Sequence, residues 1–202
     1  MLNRYARGTF TRVFGPLARL LLRLGVHPDL VTVVGTLGVV VGALWFYPRG
    51  ELWWGTLFIT AFVFADLVDG TMARISGRAS PWGAYLDSTL DRLGDAAVFA
   101  GLVLWFLGPG DRPLDGYLAL ACLVLGFLVS YAKARAESLG WRCEGGIAER
   151  ADRLVAVLVT TGFTGLFLPD WVLTVVLGLL ALASATTIVQ RMAMVRRQAV
   201  AA

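Results

Sequence analysis

Between two apolar runs the sequence reads FADLVDGTMARISGRASPWGAYLDSTLDRLGD, and its aspartates stand at helical spacing. Asp66 and Asp69 are three residues apart and Asp87 and Asp91 four apart, so each pair shares one face of a helix. An ionisable group inside a membrane span costs about 2.5–3.5 kcal/mol on insertion scales and usually marks function. Four carboxylates brought together also repel one another, so protons or cations must neutralise them. The single histidine is His27, which leaves an all-oxygen donor set suited to a hard cation, Mg2+ or Mn2+. Two helices with two carboxylates each can hold two ions about 3.5–4 Å apart, an arrangement that stabilises the attacking and leaving oxygens of phosphoryl transfer. The alternative for these residues is a buried ion-pair network with Arg74, Arg78 and Arg92. It leaves unexplained why acidic pairs recur on two helices with glycines interleaved.

Gly70 directly follows Asp69, and Gly83 stands four residues before Asp87. Glycine lets a backbone approach a ligand closely, and it equally lets membrane helices pack. Arg74, one turn beyond Gly70, carries a guanidinium able to grip a phosphate bidentately. Asp95 continues the row of Asp87 and Asp91 one turn deeper and is expected to partner an arginine. Asp152 is expected as a solvated loop charge.

The elements that must position these residues are apolar. Of 202 residues, 57% are hydrophobic and 16% charged, and the mean hydropathy is +0.71. That excludes a disordered chain, a collagen and a disulfide scaffold, and it argues against a soluble enzyme. The two cysteines, Cys122 and Cys143, are expected as free thiols. Six runs approach the roughly 20 apolar residues of a membrane span: 30–47, 52–71, 86–107, 114–131, 154–168 and 171–189. The arginine-studded segment ahead of the first run does not suit a cleavable signal peptide. Of 18 Lys and Arg, all but Arg49 and Arg112 fall on one set of connections and the two termini. The positive-inside rule then places both termini in the cytosol. Residues 3–24 put Phe10, Val13, Phe14, Leu17, Leu20, Leu21 and Leu24 on one helical face and five arginines on the other, an amphipathic surface helix that Pro16 should kink.

The full string is D-x-x-D-G-x-x-A-R, eight residues, then G-x-x-x-D-x-x-x-D, formed by Asp66, Asp69, Gly70, Ala73, Arg74, Gly83, Asp87 and Asp91. It resembles the signature of the CDP-alcohol phosphotransferases at every fixed position, and the six-span pattern extends the resemblance over nearly the whole chain. The resemblance implies transfer of a phosphatidyl group from CDP-diacylglycerol to an alcohol, with release of CMP. It implies two Mg2+ per active site, with Mn2+ able to substitute, held by Asp66, Asp69, Asp87 and Asp91. Asp91 would also be the general base for the acceptor hydroxyl. Gly70, Arg74 and Ser80 would contact the CDP moiety. His27-Pro28-Asp29-Leu30-Val31-Thr32 is similar to the family's Pro-Asn-x-x-Thr entry to the first span, with Asp29 standing where the family has Asn. This adds Asp29, Leu30, Val31 and Thr32 to the implied CDP-diacylglycerol contacts. Taken alone, Pro28-Asp29 is a helix start with Asp29 as N-cap.

The signature leaves the alcohol open. Lys133 and Arg135 lie within a turn of the end of the fourth run, Arg153 opens the fifth and Arg191 closes the sixth. A phosphorylated acceptor needs such cations, each charge-assisted bond contributing about 1.5–3 kcal/mol; topology alone also puts arginines at cytosolic helix ends. The stretch from Tyr131 to Arg153 further resembles actinobacterial members of the family whose acceptor is inositol phosphate. That acceptor is expected, with glycerol 3-phosphate as the alternative. A cation transporter would need polar groups on both halves of the membrane, and the outward halves of the spans are almost bare of charge. The expectation is an all-α integral membrane enzyme with six transmembrane helices and an N-terminal amphipathic surface helix, one domain over 1–202. It would sit among the lipids of the plasma membrane with its active site facing the cytosol, bind no nucleic acid and, by family resemblance, form a homodimer.

Overall fold

The computed structural model describes residues 15–77, 80–147 and 149–201, apart from the side chains of residues 66, 67 and 201. Among the described residues every regular element is helical, as expected. They are α1 (15–23), α2 (Pro28–Phe46), a 3-10 turn (Tyr47–Arg49), α3 (Leu52–Val63), α4 (Ala65–Ser76), α5 (Pro81–Leu107), α6 (Pro113–Ser138), α7 (Arg150–Thr164) and α8 (Asp170–Ala201).

Among the described residues four stretches are long and apolar enough to cross a membrane: Pro28–Arg49, Leu52–Ser76, Pro113–Ser138 and Asp170–Val200. The other two expected runs differ for visible reasons. The apolar part of α5 is preceded by Asp91, Arg92 and Asp95. α7 has 15 residues, about 22 Å at 1.5 Å per residue. The second run is divided at Phe64 between α3 and α4. α6 and α8 continue past the expected ends at 131 and 189, because no glycine or proline interrupts their polar last turns. α7 begins at Arg150 rather than Leu154, which puts Asp152 in its first turn rather than in a loop.

Two compact units make up the chain, Met1–Gly42 with Leu57–Ala97, and Ala43–Thr56 with Val98–Ala202. In the first unit, α1 ends at Gly25, whose φ of 76° closes the turn. The Gly25 amide donates to the Leu22 carbonyl and the Val26 amide to that of Leu21, a glycine-terminated helix end. Ala18, Leu21 and Leu22 pack with Val68 and Met72 of α4, while Leu17, Leu20 and Leu24 remain exposed. Residues 3–14 of the expected amphipathic helix lie outside the described residues, and Pro16 falls in the first described turn of α1.

α2 meets α3 through Gly38 and Gly42, four residues apart, which face Phe62 and Phe58. A Cβ at Gly38 would lie 2.1 Å from the Phe62 ring, so the pair works as a small-xxx-small packing face. Gly38→Ala is expected to cost about 1–3 kcal/mol through overpacking, read as a lowered thermal midpoint in detergent. Gly178→Ala, where a Cβ meets nothing within 4 Å, is the control and should leave the midpoint in place.

In the second unit α6 and α8 run parallel. At one end Arg112 pairs with Asp115 at 2.6 Å and Asp170 at 3.2 Å and donates to Thr174 at 3.0 Å. Midway the Cys122 thiol donates to the Leu177 carbonyl at 3.2 Å. At the far end Arg191 donates to the Val129 carbonyl. The loop after α6 is fastened to α8 at Thr187, which accepts from the Ile147 amide at 3.1 Å, and at Gln198, which exchanges hydrogen bonds with the Arg142 backbone at 3.0 and 2.7 Å. Cys122 and Cys143 are both buried free thiols, as expected.

Candidate active site

α4 and α5 carry the signature. Gly77, at φ 66°, ends α4. α5 opens with Ser80, whose hydroxyl accepts from the Gly83 amide at 3.0 Å, followed by Pro81. A serine cap with proline at the first helical position is a strong helix start. On α2, Pro28 occupies the first turn and Asp29 the second helical position, so Asp29 is not the N-cap the sequence suggested. Its amide donates to His27 Nδ1 at 3.3 Å, and its carboxylate lies 3.6 Å from the same nitrogen.

These helix segments enclose a cavity of about 230 Å³. Asp29 and Thr32 enter it from α2, Asp69 and Gly70 from α4, and Ser80, Gly83 and Asp87 from the start of α5. Asp69 is buried at 6% exposure, whereas Asp87 is exposed. The Thr32 hydroxyl stands between the Pro28 carbonyl, at 3.3 Å, and the Asp69 carboxyl, so its one hydrogen can serve either. Asp87 and Asp91 are both close enough for their charges to act on Asp69. Asp69 Oδ2 is buried with no hydrogen-bond partner among the described residues.

That orphaned oxygen separates the two sequence readings. Arg92 reaches Asp91 at 3.6 Å and Asp95 at 3.9 Å, so Asp95 partners an arginine as expected. Arg74 donates instead to the Thr71 hydroxyl at 3.0 Å, and Arg78 lies outside the described residues. Among the described residues an ion-pair network thus accounts for Asp91 and Asp95 but not for Asp69. A hard cation suits the site better. Three carboxylates, Asp29, Asp69 and Asp87, line one cavity whose glycines leave it open: a Cβ at Gly70 would meet nothing within 4 Å, and one at Gly83 would stand 3.4 Å from Ser80 Oγ and 3.7 Å from Asp29 Oδ1. Among the described residues no three acidic, histidine or cysteine side chains are grouped as a finished metal site. Asp66 belongs to α4, with its side chain outside the described set.

Other expected site residues lie elsewhere. Leu30 and Val31 line a separate apolar cavity of about 520 Å³ with Leu17, Leu21 and Val68. Arg74 and Asp91 are not among the residues lining the 230 Å³ cavity. The four cations expected for the acceptor divide. Lys133 is exposed, 3.8 Å from Glu137. Arg135, about 200° further round α6 at 100° per residue, lines a third cavity with Arg191 and Arg196. Arg153 is buried against Gly126, where a Cβ would lie 3.5 Å from its guanidinium. Arg191 is buried, with Nε and Nη2 donating to the Gly145 carbonyl at 3.3 and 3.2 Å and Nη1 to that of Val129. Sequence reading missed the cap made by Ser80, the Arg191 tether and Arg196. Only the first had a local signal, the Ser-Pro-x-Gly order.

The sequence matches the CDP-alcohol phosphatidyltransferase family over residues 25–189. The chain belongs to that family. Among CDP-alcohol phosphatidyltransferases it is similar to the phosphatidylinositol phosphate synthase of Streptomyces avermitilis, at 52% identity over 98% of this chain and 84% of that protein. The enzyme of the same name from Cutibacterium acnes is 48% identical, over 98% of both. The crystal structure of Mycobacterium tuberculosis phosphatidylinositol phosphate synthase with CDP-DAG bound superposes with a TM-score of 0.85 at 45% identity, covering 91% of this chain and 94% of that one. The structure of the same enzyme with manganese and citrate gives a TM-score of 0.85, covering 90% and 88%. Family membership and the apolar helices together make this CDP-alcohol phosphatidyltransferase a membrane protein.

Proposed function

We propose that this chain is a phosphatidylinositol phosphate synthase, which transfers the phosphatidyl group of CDP-diacylglycerol to inositol phosphate and releases CMP in phospholipid biosynthesis. The observation that carries the choice of acceptor is 45–52% identity, over 93–98% of this chain, to proteins of that name. The enzyme uses a divalent metal, and two Mg2+ ions, replaceable by Mn2+, are proposed at Asp66, Asp69, Asp87 and Asp91. When bound, the ions supply the positive charge that neutralises the pyrophosphate and stabilises the CMP leaving group. The unmet Asp69 Oδ2 supports this assignment.

The protein's own groups do the rest. Asp91 accepts the proton of the inositol phosphate hydroxyl, whose oxygen attacks the β-phosphorus of CDP-diacylglycerol as the bond to CMP breaks. Gly70 and Gly83 keep the cavity wall free of side chains, and Asp29, Thr32 and Ser80 present hydroxyl and carboxylate oxygens to the cytidine half of the donor. Arg74 meets a donor phosphate after leaving Thr71, and Leu30 and Val31 meet the donor's apolar part. The whole chain is proposed as one catalytic domain, because the family match runs across both compact units. It is further proposed to have six spans, α5 and α7 completing the set, to lie in the plasma membrane with a cytosolic active site, and to dimerise as the family resemblance implies. The surface-helix role of residues 3–24 belongs to the same proposal.

Lys133, Arg153 and Arg191 are proposed to hold the acceptor phosphate; Arg135, which the sequence also offered, points about 200° away from Lys133 round α6. Lys133→Ala and Arg153→Ala are expected to raise KM for inositol phosphate by roughly 10–150-fold, the loss of one charge-assisted contact, with little change in KM for CDP-diacylglycerol. Arg191→Ala should do the same and also lower the thermal midpoint, because it frees the Val129 and Gly145 carbonyls. Cations that serve topology alone would leave the acceptor KM unchanged. The deciding assay follows CMP release from CDP-diacylglycerol with inositol phosphate, glycerol 3-phosphate or free inositol. Preference for glycerol 3-phosphate would overturn the choice of acceptor, and preference for free inositol would remove the phosphate pocket.

A further inference from the structure

The cavity shared by Arg135, Arg191 and Arg196 has no lining residue in common with the 230 Å³ donor cavity. It lies between the C-terminal halves of α6 and α8 and holds about 450 Å³, within the usual range for small-molecule sites, about 300–1,000 Å³. Its walls grade from apolar to charged. Leu128 and Ile188 form one end, and Arg135 and Arg196 the other. Arg135 stands seven residues beyond Leu128 on α6, and Arg196 eight beyond Ile188 on α8, so the charged end is about 10–12 Å along the helices from the apolar end. Tyr131 and Trp141 also line the cavity, the residue types that gather at the headgroup level of a bilayer.

The opposite end of the same helix pair sets the depth. Asp115, in the clasp with Arg112 and Asp170, is twenty residues before Arg135 on α6. That is about 30 Å, the thickness of the hydrocarbon core. One polar cluster therefore sits at each face of the membrane, and the cavity descends from the second cluster into acyl-chain depth. Arg135 uses one amine on the Ser138 hydroxyl at 3.4 Å, and both Arg135 and Arg196 are exposed. The carboxylate on the adjoining turn, Glu137, is 3.8 Å from Lys133.

We propose that this groove is a binding site for an anionic phospholipid, with Arg135 and Arg196 on its phosphate and Leu128, Ile188, Met192 and Val195 along the start of an acyl chain. Basic pockets between transmembrane helices recognise such headgroups. A second copy of the chain is a poorer occupant, because pairing the groove with itself would press arginine against arginine in a desolvated interface. The inference rests on the chain spanning a bilayer and is independent of which alcohol the enzyme uses.

The test uses the full-length protein in detergent with chelator, so that turnover plays no part, and native mass spectrometry to count retained lipid. Wild type should retain phosphatidylglycerol about tenfold over phosphatidylcholine, which has the same phosphate but adds a choline cation that the two guanidiniums repel. R135Q/R196Q should lose that preference, M192W should reduce retention of both lipids by filling the groove, and K133A should keep the wild-type pattern. Excess inorganic phosphate should not displace phosphatidylglycerol. Equal retention of the two lipids by wild type, or an unchanged preference in R135Q/R196Q, would overturn the proposal. Displacement by inorganic phosphate would overturn it in favour of a soluble anion. Conversion of a dimer to a monomer by M192W, with phosphatidylglycerol still retained, would overturn it in favour of an interface between copies.

Discussion

Asp69→Asn and Asp87→Asn are each expected to abolish CMP release while leaving the protein folded. The exchange of carboxylate for amide keeps the shape and removes a negative charge and one metal-binding oxygen. For Asp69 the folded chain loses little, because Oδ2 has no hydrogen-bond partner among the described residues. Removing the charge of Asp69, or that of Asp87 beside it, also relieves repulsion, so the metal-free variants should be as stable as wild type or more so. The sign reverses with metal. An ion that binds the folded state alone stabilises it by RT ln(1 + [L]/Kd), so Mg2+ should raise the thermal midpoint of wild type and not that of either variant. Asp66→Asn should fail in the same way. Activity should vanish with a chelator and return with Mg2+ or Mn2+. Full turnover by chelated enzyme would end the metal assignment, and a Mg2+-dependent midpoint in Asp87→Asn would remove Asp87 from the ligand set.

The donor half of this site was legible because it is local. The signature from Asp66 to Asp91 falls on α4 and the start of α5, where helical periodicity fixes which side chains share a face; Gly70, Gly83, Ser80 and Asp87 do line one cavity with Asp69. Asp29 was placed on the correct helix but two positions too early, since proline at the first helical position moves the cap back to His27. Span ends were legible only as far as hydropathy reaches: α6 and α8 stay helical for 7 and 12 residues beyond the expected ends at 131 and 189, because backbone hydrogen bonding continues through charged turns that lack a breaker. The acceptor cations were the least legible. Where Arg191 points depends on carbonyls 46 and 62 residues away in sequence, and whether Lys133 and Arg135 cooperate depends on a rotation of two residues about α6 that a simple count of cations ignores.

Asp91→Asn should lower kcat by about 10²–10⁴-fold, the range for loss of a general base, and reach the upper end or beyond because the same carboxylate is proposed to touch a metal. KM for CDP-diacylglycerol should change little, since the donor cavity is lined by Asp69, Gly70, Ser80 and Asp87 rather than by Asp91. Arg92 stands 3.6 Å from the Asp91 carboxylate. The pH profile separates proton acceptance from metal binding. Wild-type kcat should fall as pH is lowered and Asp91 becomes protonated, and the variant should lose that limb while still showing a Mg2+-dependent thermal midpoint. Loss of the limb together with loss of the Mg2+ response would make Asp91 a ligand first and a base second. A variant within about threefold of wild type, far short of the usual contribution of a base, would send the proton elsewhere. Asp95 is the next group to substitute in that event, because it continues the Asp87–Asp91 row and reaches the same Arg92 at 3.9 Å.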